Sequence, residues 1–152
     1  MALDVVALFN AMEDHALETG LFESVNGHEP KRAPGNGLTA AIWAQEIIAV
    51  PEASGLSITS GLIIFYLRIY QNMLMRPQDA IDPIVLGAVD ALFNGYSGDF
   101  TLGGLIRNVD ILGETGTALR AQAGYIEQDG KMFRAMTLTI PLIINDLWEQ
   151  AP

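Results

Sequence analysis

Asp129-Gly130 is the feature that most constrains this chain. A two-residue type I′ turn needs positive φ at both central positions, and Asp-Gly meets that demand at low cost. The segment after it alternates. Met132, Met136, Leu138, Ile140, Leu142 and Ile144 fall on one face, and Phe133, Thr137, Thr139, Ile143 and Asn145 on the other. A long strand with one nearly continuous apolar face must lie on a core, so the rest of the chain has to supply that core. Pro141 has no N–H to give to a ladder, which predicts that this strand is a sheet edge or is bulged there.

Upstream, Leu3 to Thr19 has apolar residues at helical spacing: Val5, Leu8, Phe9, Met12 and Ala16. Asp4 suits the positive end of that helix, and Gly20 suits its stop. Leu21 to Val25 reads as a short strand. Asn26 to Gly37 holds the Gly, Pro and Asn residues of a loop, together with His28, Lys31 and Arg32. These three residues make the loop a candidate arm onto a partner.

Leu38 to Val50 and Leu56 to Leu74 read as two strands joined by Pro51 to Gly55. From Leu62 to Tyr70 both faces of the second strand are apolar, so both faces are covered. A buried helix is the alternative reading of this stretch, against its β-branched and aromatic content. Helices of the same chain supply one cover, and a neighbouring subunit is expected to supply the other. Ile63, Phe65 and Leu67 are therefore candidate interface residues. Arg134 is weighed as a snorkelling side chain and as an ion-pair partner across a subunit boundary.

Arg76-Pro77 breaks the strand. A second helix follows, capped by Asp79 or Asp82, with Pro83 in its first turn and a stripe of Ile81, Ile84, Val85, Ala88, Val89, Leu92 and Phe93. Gly95 to Gly98 ends it. Leu105 to Leu112 reads as a strand, Gly113 to Gly116 as a turn, and Leu119 to Glu127 as the outgoing arm of the hairpin. The expected fold class is α+β: one domain over residues 1–152, with two helices on one face of a mostly antiparallel sheet.

Composition limits the chemistry. With 18 acidic and 8 basic residues the net charge is −10, and the basic residues cluster only at Lys31-Arg32. A DNA-gripping surface needs cations to displace counterions from phosphate, so DNA gripping is excluded as a main activity. There are no cysteines, and His15 and His28 are the only histidines. Thiolate chemistry and histidine-rich metal sites are excluded with them. No Gly-rich phosphate loop occurs. Asp110 and Glu114 are a candidate carboxylate pair, but a turn carboxylate is commonly just solvated. No catalytic residue, cofactor or metal is assigned. The N-terminus lacks the basic lead and apolar block of a signal peptide, and the greasiest run, Leu62 to Leu67, is too short to span a bilayer. Half of the residues are hydrophobic and mean hydropathy is +0.28, which fits a well-filled core and, as the favoured reading, some apolar surface covered by another chain.

The segments Ala123-Gly124-Tyr125, Asp129-Gly130-Lys131-Met132-Phe133-Arg134 and Ile144-Asn145-Asp146-Leu147-Trp148 carry a resemblance. Here the chain resembles the tail terminator, or tail-to-head joining, proteins of long-tailed bacteriophages, especially those of actinobacterial hosts. The likeness spans the chain in element order. It implies a structural virion protein, assembled in the host cytoplasm, that forms a hexameric ring, caps the tail tube, ends its polymerisation and meets the head connector. DNA passes through the ring without specific binding. Neither catalysis nor a cofactor is implied, and no site residues are carried over. A stopper, a head-completion protein or a tube subunit is the nearest alternative; a small α+β enzyme or ligand-binding domain is the alternative from another class.

Overall fold

The computed structural model describes residues 3–30, 33–35, 37–50 and 58–150. Helix α1 (Val5–Glu18) begins at Asp4, whose carboxylate accepts the Ala7 N–H at 3.1 Å. It stops where Gly20 takes φ +67°. That conformation is cheap for glycine and strained for most other residues. Strand β1 (Ser24–Asn26) follows, slightly later than the expected Leu21 to Val25, and runs parallel to the start of β2 (Thr39–Val50). Strand β3 (Ile58–Asn72) pairs antiparallel with β2 and with β6 (Lys131–Glu149). The alternative helix for Leu62 to Tyr70 is thereby set aside. The Pro51 to Gly55 connector and Leu56 lie outside the described residues.

Helix α2 (Ile81–Gly98) is led in by a short 3-10 turn, Gln78–Ala80. Its N-cap is Ala80, with no side-chain bond, so neither Asp79 nor Asp82 caps it. Asp82 is drawn instead to Arg134. The helix ends at Gly98, within the expected Gly95 to Gly98 stop, and the fully buried Tyr96 holds its last turn down. Of the expected strand Leu105 to Leu112, only β4 (Asn108–Val109) pairs; the residues around it form turns. Strand β5 (Arg120–Gln128) leads into the Asp129-Gly130 turn, where both residues have positive φ, 53° and 76°.

The sheet order is β1-β2-β3-β6-β4, with β5 lying beside β6 on the same flank as β4. The fold class is α+β, with a curled, mostly antiparallel six-strand sheet. Both helices pack on one sheet face. Leu8, Met12 and Ala16 of α1 join Val85, Val89 and Leu92 of α2 over Phe65, Leu67, Leu138 and Ile140. The alternation of β6 holds: Leu138, Ile140, Leu142 and Ile144 face the helices, while Phe133 and Ile143 belong to clusters on the far face.

Pro141 does not mark an edge, since β6 is flanked on both sides. In a strand, the N–H and C=O of one residue point to the same side. The Pro141 carbonyl accepts the Asp110 N–H at 2.9 Å, so its nitrogen faces the flank where β5 has ended at Thr139 and β4 begins at Leu142. The missing donor falls in the gap between two neighbours.

The far face is closed within the chain as well. Val50, Leu62, Ile64 and Ile143 bury one another beside Tyr66. Ala41, Tyr70 and Phe133 pack with Ala33, Trp43 and Ile126, so side chains from β2 and β5 reach one cluster on this face. The curl and the loop provide the second cover that was expected from a neighbour.

Candidate self-association surface

Ile63, Phe65 and Leu67, the expected interface residues, are 4%, 1% and 0% exposed. All three face the helices, and the Phe9 ring meets Phe65 edge-on with centroids 5.0 Å apart. Their own chain covers them, so they offer no surface to another copy. Arg134 is also engaged at home. Its Nε lies 2.9 Å from Asp82 Oδ1, its guanidinium sits 4.5 Å from the Tyr125 ring centroid, and it donates to the Gly124 carbonyl at 3.4 Å. This is an ion pair between sheet and helix within one chain.

The loop after β1 is fastened down. The Ala33 N–H donates to Asp129 Oδ2 at 2.7 Å, the Gln128 amide donates to the Pro30 carbonyl at 3.1 Å, and Glu29 lies 3.9 Å from Arg68. These bonds tie the loop to the hairpin tip across the concave sheet. His28 remains exposed at its surface. Lys31 and Arg32 lie outside the described residues.

Asp110 and Glu114 are not a carboxylate pair. The Asp110 carboxylate accepts the N–H groups of Glu114 and Thr115, each at 2.9 Å, and the Thr115 hydroxyl. Burial pushes this carboxyl up, but its hydrogen bonds from Thr115, Glu114 and Gly113 outweigh burial and hold it below the usual carboxylate value. It is a loop anchor. His15 lies 3.2 Å from Asp99 and joins the two helices. Among the described residues no group of three metal-ligating side chains is assembled, and no helix is long and apolar enough to cross a membrane.

What the structure leaves open is sheet edge. β1 covers β2 only from Thr39 to Ala41, so from Ile42 to Ala49 the outer edge of β2 has no strand beside it among the described residues. On the opposite side of the sheet, β5 pairs with β6 alone among the described residues. Beside the β2 edge a groove of about 350 Å³ runs between Leu3, Val5 and Phe9 on one side and Ala44 and Ile47 on the other. Val5 and Val6 are 51% and 70% exposed, and Ile47 and Ile48 are 54% and 43% exposed. Unpaired N–H and C=O groups next to exposed apolar side chains form a surface made to be covered.

The far face holds a second groove, of about 320 Å³. In it Tyr66, Thr139 and Arg120 form one cross-strand row, and Arg68, Thr137 and Gln122 the next. Arg68 donates to Thr137 at 2.9 Å and lies 5.2 Å from the Trp43 centroid. Among the described residues no carboxylate lines this groove.

No protein-family model matches the chain, and no curated protein matches it.

Sequence reasoning missed both open edges. An edge is a missing neighbour, and single-strand alternation carries no record of how far a neighbour extends. The usable signal was Ile47-Ile48, two consecutive apolar residues on opposite faces of a strand, both left exposed.

Proposed function

We propose that the chain is a structural subunit that joins copies of itself into a ring. The ring caps the tail tube of a long-tailed bacteriophage, stops its growth and presents a surface to the head connector. The observation that carries self-association is the unpaired β2 edge from Ile42 to Ala49 beside exposed Val5, Val6, Ile47 and Ile48. Water is a poor environment for that combination, and a second protein surface is a better one. The resemblance through Asp129-Gly130 and Ile144 to Trp148 supplies the tail-terminator assignment. The acidic balance supports it too, since a channel that lets DNA slide must not hold phosphate. In this reading the partners are other copies, the tail tube protein and the connector, and no catalysis is assigned.

Native mass spectrometry of the protein alone and mixed with purified tail tubes tests this. The expected result is a ring-sized oligomer, in solution or on tube ends, that prevents further tube growth. A protein that stays monomeric, ignores tubes and binds filled heads instead would be a stopper-type neck protein. One that binds neither overturns the reading.

A further inference from the structure

We infer that successive copies join edge to edge, β2 of one beside β5 of the next, with Glu46 opposed to Arg120 of its neighbour. This deepens the ring reading and rests on it. The two open edges belong to opposite sides of one sheet and have nearly equal length: Ile42 to Ala49 on β2, and Arg120 to Gln128 on β5. Neither carries a proline or lysine, the residues that blunt an edge against pairing.

When a strand is added to a sheet edge, each face continues into the next strand. Side chains can therefore pair across the seam only if they share a face. Arg120 stands opposite Thr139, and Gln122 opposite Thr137, on the far face. Glu46 stands opposite Ile64, also on the far face. It does so only because of the irregularity between Ala44 and Glu46. Without the extra residue, Gln45, the alternation from Trp43 would turn Glu46 toward the helices. A bulge that re-aims one side chain is a recurrent device.

Charge then selects the pairing. Glu46 is the only charged residue on β2, and Arg120 the only one on the far face of β5. Neither has an ion-pair partner among the described residues. A β2–β2 seam offers Glu46 no cation, and a β5–β5 seam offers Arg120 no anion on that face. The β2–β5 seam satisfies both, and it leaves a free β2 and a free β5 at the ends of every oligomer. Such a head-to-tail contact repeats, and it ends in a ring when its rotation closes.

The absence of cysteine makes the test clean. Opposed positions on neighbouring strands lie within disulfide reach. The full chain carrying both E46C and R120C is oxidised mildly, alone and on tail tubes, and run without reductant. A ladder of covalent oligomers is expected, whereas a mixture of the two single variants stops at the dimer. Charge reversal supplies the second arm. E46R and R120E are each expected to weaken association about tenfold, with the double reversal restoring it. If the double-cysteine protein still oligomerises by native mass but gives no inter-chain bond, or only an intra-chain one, the seam is wrong and the ring stands. If the unaltered protein never oligomerises, even on tubes, seam and ring fall together.

Discussion

Tyr96 fastens the two helices together at one atom. Its hydroxyl donates to the Met12 carbonyl at 3.1 Å, and its ring lies 5.0 Å from that of His15. Burial pushes the phenol far above its ordinary value, so it stays a neutral donor at any ordinary pH. Y96F keeps the ring but leaves that carbonyl unpaired, and should cost about 1 kcal/mol in denaturant unfolding. Asp110 works through its charge. Its folded value lies below the unfolded one, so the stabilisation is present above the ordinary carboxylate value of 3.8 and fades as pH falls through the folded value. D110N should therefore unfold more easily than the parent protein near neutral pH, and the difference should shrink in acid. Urea midpoints at several pH values measure it. Neither role was readable in advance. Tyr96 lay within the expected end of its helix with no partner visible in sequence, and Asp110 resembled half of a catalytic pair. Each is defined by a partner that folding brings to it.

Among the elements, those set by neighbours in sequence were legible and those set by distant chain were not. Asp4 and Gly20 bound α1, and Asp129-Gly130 turns the hairpin, because each satisfies a local backbone demand. G20A should cost about 1 kcal/mol by placing a side chain in the left-handed region; a thermal scan checks it. The shortness of β4, the bulge before Glu46 and the fastening of the loop all depend on contacts across the sheet. The loop shows the consequence most clearly. As a free arm, its removal would leave the fold intact. As a strap that places Ala33 on Tyr70 and Phe133, its removal opens that cluster to water. Deleting residues 28–35 should lower the unfolding midpoint as well as impair joining, and a variant with full stability would return the loop to the status of an arm.

For the whole molecule, the fold class and the two-sided burial of β3 were legible in the sequence, but the residues it offered for contact between copies, Ile63, Phe65 and Leu67, are buried in their own chain. Apolar patterning reports that a surface is covered but not which chain covers it. The helices and the curl account for Ile63, Phe65 and Leu67, while Ile47 and Ile48 at the β2 rim stay exposed. I47K, which charges the groove beside the β2 edge, should leave the far-UV spectrum unchanged and shift the native mass toward the monomer. Pro141 has a mechanical consequence at this scale. With no amide hydrogen where β5 hands over to β4, that side of β6 is stitched in two separate runs. Because β6 stays paired with β3, β5 is the strand expected to part first along this line, with Leu142 and Ile143 still held by β4. Deuterium uptake should show the β5 amides exchanging as one group, ahead of those joining β3 to β6.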